Sequence, residues 1–198
     1  MSGVKLKELL TKESLLENGV NGLEKKFDEI AKILLTKTKI VKGEKNTKNY
    51  KEYYITDIEF YLYCEGHKDE KVYKRNTEAG DWLLHYSGVD ICFKSENIEF
   101  EENKWKLKEN VFFGGILLRG IEAIDGQTLS GRDLNGHPLL LCYELFSGFN
   151  ITNKNTNNLL VLEECDSRCT ASMSDPVKRI NITGDFAKKL YRYTVKLN

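Results

Sequence analysis

The order of hydrophobic patterns along the chain predicts an α+β fold, with helical stripes first and then several antiparallel-looking strands carrying helical insertions. Leu6, Leu9, Leu10, Leu15 and Leu16 recur near helical spacing, and Gly19-Val20-Asn21-Gly22 breaks that run. Phe27, Ile30, Ala31, Leu34 and Leu35 form a second amphipathic stripe, so residues 4–35 read as core-packing helices without chemistry of their own. Residues 37–48 alternate as a strand and then turn through Gly43-Glu44-Lys45-Asn46-Thr47. The run from Tyr53 to Leu62 follows as the clearest strand.

Beyond it, residues 64–80 are polar, and Gly66-His67-Lys68-Asp69 reads as a loop. Residues 82–86 and 89–93 form two short strands around Ser87-Gly88, a hairpin signal. Residues 98–107 predict another strand pair, and 112–124 an almost wholly buried strand interrupted by Arg119. Gly114, Gly115 and Gly88 suit turns or bulges, because none lies in a strand–GxGxxG–helix context. Residues 139–146 predict a short helix and 150–158 a polar loop. Residues 159–163, 178–183 and 190–197 complete the set as strands. No internal repeat or dividing linker interrupts the 198 residues, so one domain spanning 1–198 is expected.

Composition narrows the functional classes. Lys+Arg and Asp+Glu are each 30, so the chain lacks the overall positive excess usual for nucleic-acid binders. Charge is nonetheless uneven: 176–198 holds Lys178, Arg179, Lys188, Lys189, Arg192 and Lys196 against Asp185 alone, which leaves room for a local basic face. Five cysteines without a CxxC pair lack zinc-site spacing, and reduced, mostly buried thiols are expected. No apolar run reaches membrane-spanning length and the first residues do not form a signal peptide, so a cytoplasmic location is expected, or a nuclear one if the source has a nucleus. The sequons at Asn150 and Asn181 would matter only in a secreted chain.

The richest segment for chemistry is Glu59-Phe60-Tyr61. Strand alternation puts Tyr53, Ile55, Asp57, Glu59 and Tyr61 on one face and Tyr54, Thr56, Ile58, Phe60 and Leu62 on the other. A carboxylate flanked by tyrosines is placed to activate water beside a stacked ring; a solvated edge-strand glutamate is the plain alternative.

Four collinear segments across roughly residues 30–195 resemble the alkyladenine (3-methyladenine, methylpurine) DNA glycosylases. They are Asp57-Ile58-Glu59-Phe60-Tyr61-Leu62, Leu117-Leu118-Arg119-Gly120-Ile121-Glu122-Ala123, Asn135-Gly136-His137-Pro138 through Leu145, and Arg179-Ile180-Asn181-Ile182 with Tyr191-Arg192-Tyr193. The resemblance implies a curved, largely antiparallel sheet with surrounding helices, acting as a monomer on duplex or single-stranded DNA without metal or cofactor. It implies hydrolysis of the N-glycosidic bond of an alkylated or deaminated purine flipped into an aromatic pocket. Glu59 would be the general base, with Arg119 holding the carboxylate or its water and keeping Glu59 ionised. Tyr61 would stack on the base, with Tyr86, His85 and His67 as further candidate walls and Tyr73 as another candidate for the position of the family's histidine.

The hairpin departs from the family pattern. If Gly88 is the shared glycine, Ser87 stands where a tyrosine wedges into the duplex, Lys94 where an asparagine reads the base, and Leu84 where a pocket tyrosine would be. Ser87, Gly88, Lys94, Lys188, Lys189 and Arg192 are the expected DNA contacts. Each also has a plain role available: Arg119 in a structural ion pair with Glu59 or Glu122, His67 and His85 on the surface, and the lysines on a solvated face. Loss of the wedge points to an already splayed single strand or an unusual base. The alternative function is a non-catalytic module that binds a nucleobase, a nucleotide or a protein; hydrolysis of a free nucleoside through Glu59 is a third option.

Overall fold

The computed structural model describes residues 3–128, 131–148, 160–165 and 171–197. Helices α1 (Gly3–Leu9), α2 (Lys12–Leu15) and α3 (Leu23–Lys37) open the chain. Strands β1 (Thr38–Lys42), β2 (Lys51–Cys64), β3 (His67–Lys68), β4 (Trp82–His85), β5 (Gly88–Cys92), β6 (Glu96–Glu101) and β7 (Lys104–Ala123) follow. Helix α4 (Pro138–Phe146) precedes β8 (Leu160–Glu164), β9 (Ala171–Met173) and β10 (Arg192–Leu197). This is an α+β chain with a curled antiparallel sheet and few helices. The main sheet path runs β4-β5-β7-β2-β1-β8; β10 and β3 also pair with β2, β6 with β7, and β9 with β10.

The helical expectation holds for the N-terminal residues. Thr11 caps α2 by accepting the Ser14 N–H, and Pro138 sits in the first turn of α4, where its missing N–H costs no helical bond. Helix α3 buries Leu23, Phe27, Ile30, Ala31, Leu34 and Leu35 against the sheet. Phe27 stacks on Phe60 at 4.3 Å between ring centres and meets the edge of Tyr191 at 4.9 Å. Among the described residues no helix is long and apolar enough to cross a membrane.

The strand expectations need three corrections. The even alternation along β2 breaks, because register irregularities fall between Ile55 and Asp57 and between Asp57 and Ile58. Thr56 on β2 and Arg119 on β7 are left without register partners, and Tyr53 and Ile55 join Ile58, Phe60 and Leu62 in one hydrophobic core. Such bulges add local twist and re-aim side chains. Second, residues 178–183 form no strand: Ile180 N–H is donated to a glutamate side chain, and Asn181 takes φ 58°. Third, Gly114 and Gly115 lie within the 20-residue strand β7 instead of at a turn. The expected loop at Gly66–Asp69 also contains the short strand β3, and a 3-10 turn covers Asp185–Lys188. The polar loop expected at 150–158 and Cys169 lie outside the described residues. Cys64, Cys92 and Cys142 are free thiols.

Two buried polar clusters tie distant segments to β2. Lys42 Nζ donates to the Glu144 carbonyl at 2.5 Å and Tyr53 Oη donates to Glu144 Oε1 at 2.9 Å, holding α4 against β1 and β2. Arg179 donates to Asp69 Oδ2 at 2.6 Å and to the Phe60 carbonyl at 3.1 Å, with both side chains of the ion pair wholly inaccessible. Phe27→Ala, which removes the ring clamped between Phe60 and Tyr191, should cost about 3–5 kcal/mol in equilibrium denaturation. A loss under about 1 kcal/mol would show that α3 is not anchored through this contact.

Candidate active site

The site is built on one rung of the sheet. Glu59 on β2 is registered with Leu117 on β7, and Leu117 in turn with Asp90 on β5. Directly opposed residues share a face, so Glu59, Leu117 and Asp90 project from the same side. The two carboxylate-bearing positions are two strand spacings apart, about 10 Å. The next rung on that face is Tyr61, Gly115 and Cys92. Over these rungs lies a cavity of about 560 Å³ whose lining includes Tyr61, Tyr73, Arg75, His85, Asp90, Leu117, Arg119 and Ile180. Its size falls in the range of small-molecule sites.

Glu59 is fully buried, with hydrogen bonds to both oxygens. Oε1 accepts the Ile180 N–H at 2.7 Å; Oε2 accepts Tyr61 Oη–H at 2.8 Å and lies 3.5 Å from Arg119 Nη1. Burial pushes the Glu59 carboxyl above its ordinary value, opposed by the Ile180 N–H, the Arg119 charge and the Tyr61 hydroxyl. Burial also raises the Tyr61 hydroxyl, helped by the neighbouring Glu59 charge. The Arg179 guanidinium lies 4.4 Å from the centre of the Tyr61 ring, so that ring is already held on one side.

The second half of the cavity centres on Asp90. Arg75 Nη1 donates to Asp90 Oδ2 at 2.7 Å, and His85 Nε2 lies 3.0 Å from Asp90 Oδ1. Ser87 N–H donates to His85 Nδ1 at 3.2 Å, which leaves that nitrogen bare and puts the ring proton on Nε2. The Tyr73 ring lies 4.5 Å from His85 and 5.6 Å from Tyr86, and its hydroxyl bonds to Ser87 Oγ at 3.0 Å. A side chain at Gly115 would place Cβ 2.7 Å from Arg75 Nη1, and one at Gly88 (φ 147°) would meet Leu117 at 2.8 Å and Pro138 at 3.0 Å. These two close approaches account for the glycines.

No protein-family model matches the chain, and no curated protein matches it. The geometry therefore carries the functional reading. It brings Tyr61, Arg119, His85, Tyr86 and Ser87 of the sequence-derived set to the cavity wall, together with Tyr73; Glu59 does not itself line the cavity and contacts it through Tyr61 and Arg119. His67 is placed apart: it does not line the cavity, and its ring nitrogens meet the Leu62 carbonyl at 2.9 Å and Tyr191 Oη at 3.0 Å. Gly88 is buried within the hairpin, close to Leu117 and Pro138, and Lys94 is exposed, with its N–H bonded to the Leu10 carbonyl. Arg192 is committed to a bidentate pair with Asp57 at 3.0 and 2.7 Å, and Lys189 pairs with Glu24 at 3.2 Å. Lys188 is exposed. At the hairpin tip Tyr86 is 80% exposed with its ring edge-on to Tyr73, while Ser87 is half-buried against Tyr73.

Sequence reasoning did not single out Arg75, Asp90 or the Ile180 N–H. They come from a polar stretch, a short hairpin and an irregular segment, which carry no spacing signal. Among the described residues no group of three His, Cys, Asp or Glu is arranged to hold a metal ion.

The raised carboxyl gives a signed stability prediction. With the folded value above the ordinary 4.5, ionising Glu59 costs the native state more than the unfolded chain. Its contribution is thus present below the unfolded value and lost as pH rises through the folded one. Equilibrium denaturation from about pH 4 to 8 should show Glu59→Gln gaining stability relative to the parent as pH rises. A pH-independent difference, or one of opposite sign, would contradict the burial account.

Proposed function

We propose that this protein is a monofunctional N-glycosidase of the methylpurine DNA glycosylase type, excising a modified base swung out of a nucleic-acid strand into the cavity. The observation that carries the reading is the convergence of Glu59, Tyr61 and Arg119 on one sheet face beneath an aromatic-walled cavity. These are the residues on which the family resemblance rests.

A carboxylate offers about four acceptor positions. Ile180, Tyr61 and Arg119 engage three on Glu59, which is wholly inaccessible, so the step requires Tyr61 or Arg119 to move aside and admit a water molecule to the fourth. That water gives a proton to Glu59 as its oxygen bonds to the sugar carbon; the carbon–nitrogen bond breaks and its electron pair leaves with the base, which is then protonated. Arg119 supports the ionised form that this step needs against the penalty of burial. Tyr61, Tyr73 and His85 supply ring faces for the base. Stacking is worth about 1–3 kcal/mol per base, comparable with the few kcal/mol that extrusion costs. Tyr86, exposed at the hairpin tip, is the ring available to fill the vacated stack, one residue before the position the family pattern indicates. Lys94 and Lys188, both exposed, are available to phosphates.

A second reading, a nucleobase-binding module without catalysis, is favoured by one observation: Glu59 is wholly inaccessible and already held by three partners. One set of measurements separates the two. Base release under single-turnover conditions, from duplex and single-stranded DNA carrying alkylated or deaminated purines, should fall by about 10²–10⁴-fold in Glu59→Gln. Salt-sensitive DNA binding should remain in that variant. Binding without release on any substrate would select the module. Neither release nor salt-sensitive binding would exclude both.

A further inference from the structure

The sheet face that carries Tyr61 continues past the cavity as a row of rings. Tyr63 follows Tyr61 by two residues on β2, is registered with Phe113 on β7, and stacks on it at 4.9 Å between ring centres. Val72 lines the cavity and joins Phe113 and Ile98 in a second small core, against which Tyr61, Tyr63 and Trp105 rest. Ile98 belongs to an arm made of β6 and the first half of β7, which among the described residues pair only with each other. Ile98 and Phe100 share one face of that arm with their register partners Leu107 and Trp105. Phe100 lies 5.1 Å from Trp105 and is 56% exposed, while Trp105 is half-buried. Glu99 and Glu101 project from the opposite face, where they pair with Lys108 and Lys106. From Gly115, opposite Tyr61, to Trp105 the strand runs about 30 Å.

Cations lie beside this row. Lys68 is registered with Tyr63, and Lys68, Lys71 and Lys74 are all exposed and in no ion pair among the described residues. Lys71 also lines the cavity. The exposed acids on the same stretches are Glu70 and Glu109, which follows Leu107 by two residues, so the lysines are in slight excess. Ring faces in a row with lysines alongside match a chain of bases whose phosphates follow at the edge.

We infer that a single strand of nucleic acid lies along this row, entering the cavity at Tyr61 and reaching the arm at Phe100 and Trp105. The inference rests on the base-binding reading of the cavity; it names the form of the ligand and the surface outside the cavity that holds it. A duplex keeps its base faces within its own stack, so only unpaired bases meet these rings. Every base has a face to stack, so the row reads no sequence and leaves selection to the cavity. With so small an excess of lysine, stacking supplies most of the affinity, which accords with a chain of zero net charge.

Fluorescence anisotropy of the full chain tests this with an unmodified strand of about 12 nucleotides, alone and annealed to its complement. The single strand should bind about tenfold or more tightly than the duplex and quench tryptophan emission. Phe100→Ala, at an exposed position, should weaken single-strand binding by about 5–100-fold and leave the melting temperature near the parent's. Trp105→Phe keeps a ring and should retain binding while abolishing the quenching. Replacing Lys68, Lys71 and Lys74 together by alanine should reduce the slope of log affinity against log salt by about 2. Duplex bound as tightly as the single strand, parent affinity in Phe100→Ala, quenching that survives Trp105→Phe, or an unchanged salt slope would each overturn the inference. If either ring variant does not fold, the strand preference and the lysine variant decide. Failure of the enzymatic reading stays distinguishable, because the probe carries no base to excise. Single-strand binding that depends on Phe100, with no release from any modified strand, keeps the row and rejects hydrolysis. Release at equal rates by the parent and Phe100→Ala, at strand concentrations below saturation, does the reverse.

Discussion

The antiparallel pairing of β2 with β7 is the constraint on which the rest of the structure depends. It runs from Tyr53 opposite Ala123 to Cys64 opposite Phe112, with two irregularities near Asp57. On one face it presents Ile58, Phe60, Ile116 and Leu118 to the core and to α3; on the other it presents Tyr61, Leu117 and Arg119 to the cavity, with Glu59 buried beneath Tyr61 and Arg119. Because the strand period is two residues, a one-residue slip would exchange those sets, burying the carboxylate in the core and exposing the phenylalanine. Hydrophobic burial on the helix side therefore fixes the register of the polar site on the other. The unpaired Arg119 beside Gly120 lets the pairing continue while an arginine reaches the glutamate on the neighbouring strand.

The C-terminal segment closes the site by supplying backbone where a strand was expected. Arg179 enters the interior, pairs with Asp69, and packs against the Tyr61 ring, while the next residue gives its N–H to Glu59. One short stretch thereby satisfies a buried carboxylate, orients a cavity ring and joins the C-terminus to β2. The cost of burying Glu59 and Asp69 is offset by donors from residues far away in sequence, so site and fold are stabilised by the same contacts.

Much of the scaffold was legible in particular residues. The leucines and Phe27 announced the N-terminal helices, Ser87-Gly88 announced the β4–β5 hairpin, and the apolar run around Arg119 announced the buried end of β7. Glu59 and Tyr61 were legible as a same-face pair from strand alternation, whereas Arg119 joined them only through the resemblance to the methylpurine glycosylases. His67 misled because a histidine after the strand looks the same whether it faces a ligand or fills a gap between Leu62 and Tyr191. The break at Thr56 was hidden because isoleucine, threonine and aspartate alternate as evenly with a bulge as without one.

The sequence by itself determined the α+β class, the N-terminal helices and the strand that carries the glutamate, because these follow from local periodicity and turn chemistry. Only the tertiary structure decided that Asp90 stands on the same rung as Glu59, that Arg75 crosses Gly115 to reach it, and that an N–H from Ile180 completes the carboxylate. Those relations depend on which strands become neighbours and where a loop returns. Long-range packing and the matching of buried polar groups settle both, and neither leaves a periodic trace along the chain.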